Sequence, residues 1–314
     1  MVDASNRPQI FQHICKSLTT TVYDTLWVPS SARFVVLGST ARSTGSIQVY
    51  ELSGSELNEV AKVEKSCSFK CGTFGASSLV ERQLATGDFK GNLHIWDLEK
   101  MGIPVFHVKA HETIINAIDG CGGLGIGHGA PEIVTGGRDG RVCVWDQRQK
   151  DDPVALFEPE TRDTNRDCWS VAFGNSYNDE ERCVMAGYDN GDIKLFDLRT
   201  GKVPWETTLK SGMAIGTTIW GVKHLPQNRE VFMVLGGDGS LSLYKHSNPS
   251  KRSLKSMEGR PYGITDKVNL LSSQPLSTQP VACFDWSPDK EGLAVFGSFD
   301  QCIRVAIVTK LNKI

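Results

Sequence analysis

The chain has 314 residues, 34 of them basic and 36 acidic, for a formal net charge of -2. That balance removes any general electrostatic reason to expect a nucleic-acid or anionic-membrane partner, and no apolar run approaches the ~20 residues of a membrane helix. The opening Met1-Val2-Asp3-Ala4-Ser5-Asn6-Arg7-Pro8 has no basic stretch followed by an apolar one, so a cytoplasmic chain without a signal peptide is expected.

In chain order, the first element is Gln9-Ile10-Phe11-Gln12-His13-Ile14, an extended segment at 9–14 that can serve as an outer strand for the last repeat. A strand follows at 23–28. Then Gly45-Ser46-Ile47-Gln48-Val49-Tyr50 sets a register of glycine first, apolar residues third and fifth, and an aromatic residue last. Gly91-Asn92-Leu93-His94-Ile95-Trp96, Gly140-Arg141-Val142-Cys143-Val144-Trp145, Gly191-Asp192-Ile193-Lys194-Leu195-Phe196 and Gly239-Ser240-Leu241-Ser242-Leu243-Tyr244 repeat it, and Gln301-Cys302-Ile303-Arg304-Val305-Ala306 is a degraded copy. Their last residues lie at 50, 96, 145, 196, 244 and 306, which is a propeller period with one enlarged connection.

The alternation within each copy marks a strand. Apolar runs ending in small residues, such as Leu84-Ala85-Thr86-Gly87 and Ile133-Val134-Thr135-Gly136, precede tight turns such as Asp139-Gly140 and Asn190-Gly191, so each copy is half of a hairpin. Further strands at 71–74, 169–173, 219–224 and 281–286 open the later repeats. Small sheets of this kind bury their apolar faces only against one another. The expected fold is all-β: one WD-repeat β-propeller over 1–314, with six legible blades, the 9–14 strand closing the last.

Four residues of the third repeat, His111, Thr135, Asp139 and Trp145, are spaced for a hydrogen-bonded network at a blade junction, where desolvated polar groups need partners. Their role is expected to be structural. Gly122-Gly123-Leu124-Gly125-Ile126-Gly127-His128-Gly129 is rich enough in glycine to suggest a phosphate loop, but it leads into a strand and lacks the Gly-Lys-Ser or Gly-Lys-Thr ending. It reads as a flexible, exposed interstrand loop. Nine cysteines, an odd number, are expected to be reduced packing residues. Cys67 and Cys71 have no second pair to complete a zinc site, so neither metal nor cofactor is expected, and no set of acid, base and nucleophile suggests an enzyme.

Protein binding is the expected activity. Tyr23, Trp169 and Trp220 occupy equivalent strand entrances, four positions before Trp27, Phe173 and His224. Phe89, Arg138 and Phe299 stand in equivalent turns, with Tyr188 near a fourth. Aromatic and arginine side chains at such positions are suited to anchor a partner. The basic stretch Lys251, Arg252, Lys255, Arg260 and Lys267 reads as a solvated loop, after which 268–271 returns as an outer strand.

Longer stretches, Leu84-Ala85-Thr86-Gly87-Asp88, Ile114-Ile115-Asn116-Ala117-Ile118-Asp119-Gly120, Gly187-Tyr188-Asp189-Asn190-Gly191-Asp192-Ile193-Lys194-Leu195-Phe196-Asp197 and the tail Ile307-Val308-Thr309-Lys310-Leu311-Asn312-Lys313-Ile314, resemble the WD-repeat axonemal dynein assembly factors in order and over most of the chain. The resemblance implies a cytoplasmic adaptor in the preassembly of axonemal dynein motors. The partners it implies are a prefoldin-like and AAA ATPase co-chaperone and the dynein chains. It also implies seven blades. Between the outer strand at 203–209 and the next inner strand at Ile219 only residues 210–218 remain, so one repeat is absent there and six blades are expected to close. A different class, a substrate receptor of a cullin ubiquitin ligase, is suggested by Trp145-Asp146-Gln147-Arg148 and more weakly by Phe196-Asp197-Leu198-Arg199.

Overall fold

The computed structural model describes residues 7–149, 151–159, 166–209, 217–247, 249, 253–255, 261–263 and 267–314. Strand β1 (Gln9–Ser17) comes first and is set aside until the end of the chain. The first blade is β2 (Thr20–Trp27), β3 (Arg33–Thr40), β4 (Gly45–Ser53) and β5 (Glu56–Lys65). The second is β6 (Phe69–Thr73), β7 (Leu84–Asp88), β8 (Asn92–Trp96) and β9 (Phe106–Lys109), and the third is β10 (Ile115–Cys121), β11 (Glu132–Gly137), β12 (Val142–Trp145) and β13 (Ala155–Phe157). The fourth is β14 (Cys168–Gly174), β15 (Cys183–Tyr188), β16 (Asp192–Asp197) and β17 (Lys202–Thr208).

In the fifth blade β18 (Ile219–Leu225), β19 (Asn228–Gly236) and β20 (Ser240–Ser247) are followed by a separate hairpin, β21 (Ser253–Lys255) with β22 (Pro261–Gly263), before β23 (Lys267–Pro275) pairs with β20 as the outer strand. That hairpin accounts for the enlarged connection. Lys251, Arg252 and Arg260 lie outside the described residues, as do 210–216 of the short connection. The sixth blade is β24 (Val281–Trp286), β25 (Leu293–Ser298) and β26 (Cys302–Thr309), and β1 completes it by pairing antiparallel with β26 from Gln9 opposite Thr309 to Ser17 opposite Cys302. The six blade sheets are each four-stranded and antiparallel, the pattern of a six-bladed β-propeller. Contacts divide the chain into two compact units: Thr19–Ile215, with four blades, and Met1–Leu18 with Gly216–Ile314, with two.

The repeated glycine is required by the turn. Gly91, Gly140, Gly191 and Gly239 have φ of +79°, +76°, +89° and +84°, a region side chains resist. Gln301 takes the same conformation at φ +61°, which explains how the degraded copy still turns. Within the larger unit each junction is apolar: Val35 shares a core cluster with Phe69, Ala85 with Ile115, and Val134 with Cys168. The approach is close enough at Gly136 that an added Cβ would lie 2.6 Å from the Cys168 sulfur.

One irregularity recurs in all six blades. The first strand bulges just after its entrance, between Val22 and Asp24, Phe69 and Cys71, Ile115 and Ala117, Cys168 and Ser170, Ile219 and Gly221, and Val281 and Cys283. The residue left out of the ladder is Tyr23, Lys70, Asn116, Trp169, Trp220 or Ala282. A bulge re-aims such a side chain out of the pleat.

Candidate protein-binding face

The bulge residues and the turn residues are brought together by one backbone hydrogen bond in each of the second to sixth blades. The Phe89 amide donates to the Ser68 carbonyl (3.0 Å), Arg138 to Ile114 (2.9 Å), Asp189 to Asp167 (3.0 Å), Gly237 to Thr218 (2.7 Å) and Phe299 to Pro280 (3.1 Å). Phe89, Arg138 and Phe299 are therefore equivalent, and the fourth member of the set is Asp189. Tyr188 lies one position earlier, half-buried against the cluster of Val134 and Cys168, and burial pushes its phenol well above the usual range.

In the four-blade unit the Tyr23 and Phe89 rings meet at 5.2 Å, and the Lys70 ammonium lies 5.0 Å from the Tyr23 centroid. Arg138, with 61% of its side chain exposed, reaches the Asp167 carboxylate at 3.6 Å. Burial raises the Asp167 pKa, and the charge of Arg138 offsets only part of that. Trp169 stands at the bulge of the fourth blade, half exposed. In the two-blade unit Trp220 and Phe299 repeat the Tyr23 and Phe89 relation at 5.0 Å, edge to face. Lys70 escaped the sequence reading. Its signal was positional, since it fills the same place in its strand as Tyr23, Trp169 and Trp220, but a lysine there breaks the aromatic pattern.

The third-blade network is complete and buried. His111 Nδ1 lies 2.8 Å from the Asp139 carboxylate and its Nε2 2.8 Å from the Thr135 hydroxyl, which also accepts the Trp145 indole N–H at 3.1 Å. A neutral imidazole that donates from Nδ1 to Asp139 and accepts the Thr135 proton at Nε2 satisfies every group. Burial works against charge on Asp139, but hydrogen bonds from His111 and from the amides of Glu112 and Arg141 outweigh it and hold the carboxyl below its usual range. Thr135 is fully buried, so no substrate reaches it. The second blade keeps part of the device: the Trp96 indole donates to Thr86 at 2.9 Å, and Asp88 accepts the Lys90 and Asn92 amides at 2.8 Å. In the last blade, Asp300 instead accepts from the Arg304 guanidinium, the Ser298 hydroxyl (2.7 Å) and the Cys302 amide (3.0 Å).

The glycine-rich loop is exposed at His128 and is tethered by several contacts. The His128 amide donates to Tyr177 O (2.7 Å), the two rings meet edge to face, and the Ala130 amide donates to Asp179 at 3.1 Å. Arg148, the arginine of the Trp-Asp-x-Arg motif, forks back onto buried Asp146 at 2.9 and 2.6 Å. Cys121, Cys143 and Cys168 are buried, and burial pushes each thiol up to about 12. Among the described residues no group of three or more His, Cys, Asp or Glu side chains is placed to hold a metal, and no helix is long and apolar enough to cross a membrane.

The family model described as WD domain, G-beta repeat matches residues 102–146, the stretch that carries His111, Thr135, Asp139 and Trp145. Along its whole length the chain is similar to proteins named dynein axonemal assembly factor 10: 52% identical to that of Chlamydomonas reinhardtii and 52% to that of Homo sapiens, with 100% of both chains covered in each case. This chain belongs to the dynein axonemal assembly factor 10 family. The Dictyostelium discoideum member is more distant, 26% identical over 90% of this chain and 91% of its own. The family alignment also bears on blade number. That with the Chlamydomonas protein runs over 358 positions against the 314 residues here, so 44 positions, close to one repeat, have no counterpart in this chain.

Proposed function

We propose that this chain is a cytoplasmic adaptor in the chaperone-assisted preassembly of axonemal dynein, and that it holds its partners through the bulge-and-turn side chains. The observation that supports the reading is the Tyr23 and Phe89 ring pair with Lys70 against it, and Arg138 in the equivalent turn of the next blade. It combines apolar area with directed positive charge on backbone that the blades hold rigid. The names of the relatives supply the process. Prefoldin-like and AAA ATPase co-chaperone subunits on one side and axonemal dynein chains on the other are the proposed partners. Native purification of the tagged chain from ciliated-cell extract tests this. Recovery of co-chaperone subunits or dynein chains, reduced in a Phe89→Ala, Arg138→Ala double variant of unchanged circular dichroism, is the expected result. Recovery of neither, alongside a relative that recovers both, overturns it.

A further inference from the structure

The second and third blades share a register at their junctions but not the charges placed on it. His111 stands four residues before Ile115 of β10 and Lys65 four before Phe69 of β6; Asp139 precedes the positive-φ glycine Gly140, and Lys90 precedes Gly91. Two lysines thus replace an imidazole and a carboxylate that meet at 2.8 Å in the third blade. The rest of the device is kept, with the Trp96 indole on Thr86 as Trp145 is on Thr135. At this place the second blade has a cavity of about 390 Å³, within the size range of ligand sites.

Both lysines line the cavity, along with Asn92, His94 and His107. The Lys65 ammonium donates to the Met101 and Gly102 carbonyls at 2.6 and 2.7 Å and lies 4.5 Å from the Trp96 ring centre. Burial lowers its pKa, so its charge is held at a cost. Among the described residues no carboxylate pairs with Lys65 or with the exposed Lys90. Asp88 also lines the cavity, but its oxygens accept the Lys90 and Asn92 amides and the Asn92 side chain, each at 2.8 Å, so its charge is answered within its own turn. His94 is neutral, its pKa pushed down to about 4 by burial, and the His107 ring lies 4.7 Å away. Two ammoniums against one carboxylate leave a single positive charge in a recessed space, which favours an oxyanion.

We propose that this cavity receives a glutamate or aspartate side chain of a polypeptide that lies over Tyr23 and Phe89. In the third blade the carboxylate of the junction is the chain's own Asp139; in the second, lysines stand at those positions and the carboxylate comes from the partner. Lys90 adjoins Phe89 in sequence, so one bound segment reaches both the ring pair and the cavity. The polypeptide as source rests on the adaptor reading, whereas the preference for a carboxylate rests on the cavity alone.

Proton NMR of the purified full chain tests this, with blocked glutamate (N-acetyl, N-methylamide) as the probe and the His107 imidazole signal, assigned by its loss in His107→Gln, as the readout. A saturable shift is expected, with blocked glutamine binding about tenfold more weakly, the worth of one charge-assisted hydrogen bond. Lys90→Met and Lys65→Met should each weaken the glutamate by a similar factor. Lys90 is exposed, so its variant keeps the test sound if Lys65→Met disturbs the fold. Equal binding of the two probes overturns the proposal, as does binding that Lys90→Met leaves unchanged, or no shift at all. Inorganic phosphate that moves the same signal at lower concentration assigns the cavity to a free oxyanion and overturns it too. The adaptor reading fails separately, when the Phe89→Ala, Arg138→Ala variant recovers partners as the parent does; the glutamate titration does not depend on that result.

Discussion

Phe89 rests its ring 5.2 Å from that of Tyr23, the residue expelled from the ladder one blade earlier. A partner that covers one ring therefore covers both, and truncation of such an anchor costs about 2 kcal/mol, roughly thirtyfold in affinity. Phe89→Ala and Arg138→Ala are each expected to weaken binding to a recovered partner on this scale by calorimetry, with unchanged melting. His128→Ala, on the tethered glycine loop, is expected to bind like the parent. Affinities within twofold of the parent for both Phe89→Ala and Arg138→Ala would remove this face from consideration.

The buried His111 and Asp139 pair makes a prediction of the opposite kind. His111→Ala leaves a buried carboxylate without its nearest donor, and losing a hydrogen bond to a charged group typically costs about 1.5 to 3 kcal/mol. The melting temperature should fall steeply while partner affinity measured below the transition holds. A His111→Ala chain that melts with the parent would show that the network is not sealed from water.

Asp300 links the last blade to pH. Burial opposes its charge, but Arg304, Ser298 and the Cys302 amide hold its carboxyl far below the usual 3.8. The native state then binds the proton less readily than the unfolded chain. Its contribution is present above pH of about 4 and is lost progressively as pH falls toward the native value. Urea melts across this range should show stability declining with acid, and Asp300→Asn should flatten the decline while lowering stability at neutral pH. An identical acid slope in the variant would assign the effect to other carboxyls, Asp139 first among them.

Thiol chemistry separates the cysteines. Cys15 is exposed, whereas Cys121, Cys143 and Cys168 are buried with thiols pushed up to about 12. Because the thiolate is the reactive form, iodoacetamide under native conditions should alkylate Cys15 first, and peptide mass spectrometry should find the three buried thiols unmodified until denaturant is added. Early labelling at Cys168 would mean that the junction around Gly136 opens.

The blades were legible because each middle hairpin combines a strict alternation with a turn that needs positive φ, and both leave marks on neighbouring residues. Gln301 shows that the second mark can fade while the backbone keeps its path. The outer strand of the last blade was readable from 9–14 because an extended segment stands there ahead of the first repeat, and β1 pairs with β26. The bulge was hidden, since one extra residue in a strand leaves composition unchanged, and with it went the place of Lys70. The Asp300 and Arg304 pair escaped because it fills a blade whose repeat lacks the usual glycine and aromatic residue.

The pairing of β1 with β26 sets a clock on synthesis. Gln9 emerges first among the paired residues, and its partner Thr309 lies 300 residues further along the chain. At ~5–20 residues per second, β1 waits about 15 to 60 s for its neighbour. Throughout that interval the nascent chain carries an unpaired strand edge with the apolar Ile10 and Phe11 on it. Such an edge recruits other edges, so the demand for a holding factor falls on the ribosome-bound chain.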